Sequence, residues 1–312
     1  MAQTSEQPAS VETIIRAIAS RFDAADLNFG HGTDNAVDEA AWLVFAHLGL
    51  SHDDVPAIYS RAVEPGEMRE LEELVERRIR DHVPVAYLVN QAWFAGLEFS
   101  VNQDVLVPRS PIAELILDGY RPWVNPDRVN SMLDMCTGSG CIAIASALQL
   151  PCAHVDASDI SAKALDVAAQ NVKRHGLEER IALLQSDLFR SIDARRYDLI
   201  VANPPYVPLG SLVELPAEYR AEPGLGLVSG LDGLEAVLSI LVDAPAFLGE
   251  DGILICEVGE SDAALAAALP GVPFLWLEFE QGGSGVFVLN REQLQAAGSE
   301  LADRVGVRRD VI

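Results

Sequence analysis

Apolar residues recur at helical spacing through the first quarter of the chain. Ile14, Ile15, Ile18 and Phe22 form one stripe over residues 11–22. Asp34 stands where it can cap a second helix running to about residue 50, with Trp42, Leu43 and Phe45 turned toward a core. Over residues 67–82, Leu71, Leu74, Val75 and Ile79 share one face and charges fill the rest. No strand signal interrupts these segments, so residues 1–92 read as a small helical bundle. The pattern changes at Pro84. Residues 93–101, with Gly96 at the middle, read as a hairpin, and residues 105–108 continue as an extended link.

From about residue 130, short apolar runs alternate with helical ones. Strands are expected over 131–135, 153–158, 181–184, 199–202 and 252–257, and helices over 141–148, 161–175 and 231–247, with Ser161 as a cap. This alternation predicts an α/β fold, a parallel sheet with helices on both faces. Residues 274–279 and 286–289, joined through Gly282-Gly283, predict an antiparallel hairpin at the sheet's end. Residues 293–312 read as a polar helical tail or as disordered chain.

Composition narrows the class. The chain has 312 residues, 49% of them hydrophobic and 22% charged, enough to bury a large core without disulfide or metal staples. No run is long and apolar enough to span a membrane, and residues 1–20 carry Glu6 and Glu12 where a secretory leader would be basic and then apolar. Cys136, Cys141, Cys152 and Cys256 match no zinc spacing, so no metal site is expected, and they read as reduced thiols of a cytoplasmic protein. Asp and Glu number 47 against 22 Lys and Arg, a formal net charge of -25. The first 92 residues hold 16 acids and 7 bases and the remainder 31 and 15, so neither part offers the basic face that binding of free nucleic acid needs. A cationic partner would be attracted by the same field.

Two motifs carry chemistry. Asp134-Met135-Cys136-Thr137-Gly138-Ser139-Gly140 follows a strand and opens a helix, so glycines let a ligand approach the backbone where helix N–H groups are free. Asp159, 19 residues after Gly140, ends the next strand, where a carboxylate can take both ribose hydroxyls. Gly138-x-Gly140-x-x-Ala143 also fits the dinucleotide pattern, so the loop alone leaves NAD open. Two features favour S-adenosylmethionine: Asp134 stands where it could orient that cofactor's amino-acid end, and the sheet ends in a hairpin rather than a second mononucleotide half.

The second motif, Asn203-Pro204-Pro205-Tyr206, follows the fourth strand of the alternating part, beside the glycine loop at the carboxyl ends of the strands. It suits a planar NH₂. The Asn203 side-chain oxygen accepts one N–H, the Pro204 carbonyl accepts the other and is held rigid by its ring, and the Tyr206 ring can stack on the flat group. Two acceptors aimed at one nitrogen draw off positive charge as it forms. Weaker candidates are Glu257 at the end of the next strand and Asp187-Leu188, where an adenine would lie. Phe94 is a candidate aromatic lid, although it and Phe99 read better as core. Arg109 and Glu114 are expected either to pair or to reach cofactor or acceptor. None of the six histidines has a sequence partner that suggests catalysis.

Together these motifs resemble the glutamine-specific protein methyltransferases, which modify a glutamine side-chain amide in peptide release factors or in protein three of the large ribosomal subunit. The resemblance runs from about residue 10 to residue 290. It includes Pro84-Val85-Ala86-Tyr87-Leu88, Phe94-x-Gly96-x-x-Phe99-x-Val101, both motifs above, and Glu222-Pro223 followed by Gly230-x-Asp232-Gly233-Leu234. The stretches 31–36, 107–112 and 225–230 are similar to the ribosomal-protein branch. The resemblance implies a Rossmann-like class I methyltransferase sheet over residues 109–292. A substrate-recognition domain over 1–92, a hairpin linker over 93–108 and a polar tail over 293–312 complete the chain. It also implies S-adenosylmethionine bound by residues 136–140 and Asp159, a glutamine held by Asn203 to Tyr206, and a basic ribosomal protein as partner, modified before or during ribosome assembly. The oligomeric state stays open. A DNA adenine methyltransferase would use the same clamp but needs a basic face to hold DNA and flip a base. An NAD-dependent oxidoreductase leaves Asn203 to Tyr206 without a role, and a non-catalytic scaffold leaves the intact glycines, Asp159 and Asn203 unexplained.

Overall fold

The computed structural model describes residues 9–51 and 54–309. Residues 1–8, part of the stretch weighed above as a leader, and 310–312 at the end of the tail lie outside the described residues. The chain forms two units. The first takes the described residues up to Ala92, with Val101–Gln103 and Pro216–Ala221. It contains α1 (Val11–Ala24), α2 (Ala36–Leu48), α3 (Val55–Ser60), α4 (Pro65–Asp81) and α5 (Val85–Val89). Ile14, Ile15, Ile18 and Phe22 meet Leu43, Val44, Leu71 and Val75 in one core, as the helical stripes predict. The cap of α2 is Asn35 rather than Asp34. Asn35 Oδ1 accepts the Asp38 N–H at 2.9 Å, whereas Asp34 stands one residue too early and instead accepts from Asn35 Nδ2. α3 and α5 are too short for a periodic pattern to announce them.

A buried charge cluster organises this unit. Arg78 on α4 is fully buried, its Nε 3.2 Å from Glu39 Oε2 on α2 and its Nη1 2.9 Å from Glu218 Oε1. Its Nη2 donates to the Asn28 carbonyl at 2.9 Å, and Glu218 also accepts the Asn28 N–H. Each charge thus has a partner, which burial demands.

The chain leaves the first unit through a hairpin of β1 (Gln91–Phe94) and β2 (Leu97–Ser100), and the second unit follows. After α6 (Ile112–Leu117) come β3 (Ser131–Met135), α7 (Cys141–Gln149), β4 (His154–Asp159), α8 (Ala162–Arg174), β5 (Ile181–Gln185) and β6 (Tyr197–Ala202). The chain then runs through α9 (Gly224–Leu227), α10 (Glu235–Phe247), β7 (Leu248–Glu257), α11 (Asp262–Ala268), β8 (Leu275–Trp276), β9 (Val286–Asn290), α12 (Arg291–Ala296) and α13 (Gly298–Arg309). The seven strands lie in the order β5-β4-β3-β6-β7-β9-β8. All neighbours up to β7 are parallel, and β9 is antiparallel to both β7 and β8. Strand alternation divides the core. Met132, Leu199, Val201 and Ile255 face the layer that contains α6 and α7, while Leu133, Ile200, Ala202 and Leu254 face the layer with α10 and α12.

Three expectations change. The helix expected from residue 231 starts at Glu235, because Gly233 at φ +80° and an exposed Leu231 still belong to the preceding turn. The C-terminal hairpin keeps only two residues in β8. The polar tail is two helices whose Leu294, Ala297 and Leu301 are buried in the same core layer as α10, so up to α13 it is part of the fold. No helix among the described residues is long and apolar enough to cross a membrane, and the four cysteines are free.

Removing Arg78 would strand two buried carboxylates. Arg78→Leu should lower unfolding free energy by about 3–5 kcal/mol, read as a shift of the urea midpoint, with a smaller loss in the double variant that also carries Glu39→Gln.

Candidate functional site

Strand order reverses at β3, whose parallel neighbours are β4 on one side and β6 on the other. Such a reversal opens a crevice beyond the carboxyl ends of the strands. The register places both motifs there: Met135 pairs with Ser158 and with Ala202, so Cys136 and Asn203 leave the sheet at the level of Asp159, the last residue of β4. Two cavities open at this edge, one of about 450 Å³ and one of about 80 Å³. Cys136, Asn203, Leu106 and Gly226 line both.

The loop after β3 is held in left-handed backbone at Cys136 (φ +61°), Gly138 (+54°) and Gly140 (+81°). At Gly138 nothing crowds the place a side chain would fill, whereas a Cβ at Gly140 would meet Ala168 of α8 at 3.3 Å. The first glycine thus keeps the loop open and the second lets α7 and α8 pack. Asp134 staples the loop from below: its Oδ2 accepts from Thr137 Oγ1 at 2.5 Å and from the Ala143 N–H, in the first turn of α7, at 3.0 Å. Burial pushes this carboxyl up to about 7 against those hydrogen bonds. The expected role of Asp134 changes accordingly. Strand alternation turns it under α7, and it lines neither cavity.

Of the residues expected to hold a nucleotide, the larger cavity collects Cys136, Asp159, Asp187, Leu188 and Asn203. Asp159 lines it, with Oδ2 accepting the Gly138 N–H and Oδ1 the Ser161 N–H, both at 2.9 Å, and burial raises its carboxyl. Two backbone donors fix this carboxylate while leaving it lone pairs for hydroxyls. Asp187 and Leu188 also line it, with Asp187 paired to Arg190 at 2.6 Å and Leu188 at φ +50°. The wall also includes Ser158, Pro223, Gly230, Glu235 and Asp243, none of which the sequence singles out as a site residue.

The smaller cavity is lined by Asn203, Tyr206, Arg109, Ser110 and Glu257, with Thr137 and Ser139. The Asn203 side chain makes no hydrogen bond to any described residue, although it faces both spaces, and buried Ser139 Oγ is also without one. Tyr206 is braced on several sides. Its carbonyl accepts from Ser261 Oγ at 2.9 Å, its hydroxyl donates to Glu257 Oε1 at 3.3 Å, and its ring leaves only 2.6 Å for a Cβ at Gly259. Burial pushes Glu257 up to about 7, while Ser110, Tyr206 and Arg109 act in the opposite direction.

Arg109 does not pair with Glu114. Glu222 takes its guanidinium through two contacts of 2.6 Å and also accepts the Val107 N–H, while Glu114 accepts the Glu280 and Gln281 N–H groups. Phe94 lines neither cavity. It lies in the core at 4% exposure, edge-on to Phe99 with ring centroids 6.4 Å apart. Pro204, Gly138 and Gly140 shape backbone at the site without lining either cavity.

Gly259→Ala would force the Tyr206 ring aside, and its φ of +48° adds strain. The variant should lose at least tenfold in turnover at unchanged cofactor affinity; steady-state rates beside calorimetric binding check this.

The methyltransferase small domain model matches residues 123–212, and the PrmC N-terminal domain model matches residues 16–89. The ribosomal protein uL3 glutamine methyltransferase of Neisseria meningitidis serogroup B is 47% identical over 293 residues, 94% of this chain and 96% of that one. Its namesake from Bordetella pertussis is 45% identical over 286 residues, 91% and 96% of the two chains. Among solved structures, the hMettl16 catalytic domain bound to MAT2A 3'UTR hairpin 1 superposes with a TM-score of 0.50 at 15% identity, over 88% of this chain and 89% of that one, a likeness of fold alone. With near-complete coverage at this identity, the chain belongs to the family of the ribosomal protein uL3 glutamine methyltransferases.

Proposed function

We propose that this protein moves a methyl group from S-adenosylmethionine to the side-chain amide nitrogen of a glutamine in ribosomal protein uL3, giving N(5)-methylglutamine. The observation that carries the proposal is Asn203: a carboxamide without a described partner, at the junction of a nucleotide-sized cavity and a chamber of about 80 Å³. The larger cavity fits the cofactor. Asp159 would take the ribose hydroxyls, Asp187 and Leu188 would flank the adenine, and Cys136 at the start of the glycine loop would lie against the rest of the cofactor. When bound, the cofactor supplies an electrophilic methyl group on a sulfonium.

The rest of the chemistry belongs to the chain. Asn203 Oδ1 and the Pro204 carbonyl accept the two N–H groups of the substrate amide and turn its nitrogen toward the larger cavity. The Pro204 carbonyl is fixed by its ring before reaction, and both acceptors present dipoles to the charge forming on nitrogen. Tyr206, braced by Gly259, Ser261 and Glu257, holds the flat amide against rotation. Arg109 shapes the wall, its charge already occupied by Glu222.

The net charge of -25 gives the substrate class a physical basis. A free ribosomal protein is strongly basic, so the field speeds its encounter and disfavours RNA already assembled around it.

The test is labelled-methyl transfer to purified uL3, a release factor and duplex DNA in parallel. Label in uL3 alone is the expected result; label in the release factor or DNA instead would overturn the substrate assignment. Asn203→Ala should lower kcat by about 10²-fold or more while cofactor affinity stays within about threefold. Raising ionic strength from 50 to 300 mM should depress kcat/KM for uL3 several-fold through KM, with little change in kcat.

A further inference from the structure

Methylating a carboxamide leaves a proton to dispose of. The N–CH₃ bond forms as the sulfonium S–CH₃ bond breaks, the sulfur becomes a neutral thioether, and the nitrogen must give up one of its two hydrogens as H⁺. Asn203 and Pro204 offer amide oxygens, which accept hydrogen bonds but are far too weakly basic to keep that proton. The small chamber has one carboxylate among its described lining residues, Glu257, and no histidine.

We propose, building on the methyl-transfer reading above, that Glu257 takes up the proton released from the acceptor nitrogen, with Ser110 and Tyr206 as its positioning residues. Glu257 ends β7 at 5% exposure, inside the same chamber as Asn203. Asn203 and Glu257 line the same space of about 80 Å³, so once methyl transfer has made the nitrogen cationic, one of its two hydrogens passes from its amide-oxygen acceptor to this carboxylate. Ser110 Oγ accepts the Ile112 N–H at 3.2 Å, so its single proton is committed to Glu257 Oε2 at 2.5 Å. Tyr206 donates to the other oxygen at 3.3 Å. The two donors hold the carboxylate in place and leave each oxygen a further lone pair for an incoming proton.

The groups around Glu257 do not fill that role. Arg109 acts on it through space but spends its fork on Glu222. Cys136 of the loop, Cys141 of α7 and Cys256 of β7 are thiols that burial pushes up, so they stay protonated. Burial raises Glu257 itself into the range where a carboxylate exchanges protons near neutral pH. The proton passes to water when the methylated product leaves.

The test compares wild type, Glu257→Gln and Ser110→Ala by single-turnover transfer to uL3 across pH 5.5–9, and by ¹³C carboxyl NMR of the protein without cofactor, where the resonance missing from Glu257→Gln identifies the residue. The wild-type rate should rise to a plateau with a midpoint near that of the Glu257 resonance, about 7. Glu257→Gln should lose about 10²-fold in rate and the pH limb, with KM within about threefold. Ser110→Ala should move the limb and the resonance together to higher pH, since the carboxylate loses a donor. A Glu257→Gln enzyme with wild-type rate and limb, or a loss confined to KM, overturns the inference. Should that variant fail to fold, the carboxyl resonances of wild type that Ser110→Ala displaces decide: a midpoint well below 6, or a limb that stays put while the resonance moves, overturns it. Wild type that labels no glutamine at any pH fails the functional reading instead.

Discussion

Parallel pairing of β3 with β6 is the constraint on which the site depends. These strands are adjacent in the sheet although more than sixty residues separate them, and their register sets Met135 beside Ala202. One residue beyond each, the chain departs into the glycine loop and into Asn203-Pro204-Pro205-Tyr206. A slip of either strand by one residue would turn Leu133 or Ile200 out of their shared core layer, so packing on both faces fixes the register. The hydrophobic core therefore decides how far apart two polar motifs lie.

Around that junction, buried polar groups are held by neighbours from elsewhere in the chain. Asp134 reaches the first turn of α7, Asp159 reaches the Gly138 amide, and Glu257 collects donors from the segments that carry Ser110 and Tyr206. Each arrangement removes freedom from a loop that would otherwise sample many shapes, so the positioning cost is met in folding. Asn203, Asp159 and Glu257 keep hydrogen-bonding capacity directed into the cavities.

Elements with a long repeated pattern were legible from sequence. The stripes of α1 and α4, the alternation from β3 to β7, and the two motifs at strand ends follow from periodicity and from what glycine and proline allow. Relations between distant residues were not. Nothing near Arg78 announces that Glu39 and Glu218 will bury its charge, and nothing near Arg109 favours Glu222 over the closer Glu114. The cap of α2 fell to Asn35 because reach to an amide is decided within one residue. Asp134 shows the same limit at the site, since its motif marks it as important while strand alternation points it at α7. The helical reading of the tail holds, but its burial does not show in the sequence, because its few apolar residues, Leu294 and Leu301 among them, form too sparse a pattern.

The way the sheet stops has a further consequence. β9 returns antiparallel between β7 and β8, so the last long parallel strand never becomes an edge, and the outermost strand on that side spans only Leu275–Trp276. An edge this short presents almost no row of free amides and carbonyls for a stray strand to copy. The completed fold thereby offers that flank little through which a second molecule could extend the sheet.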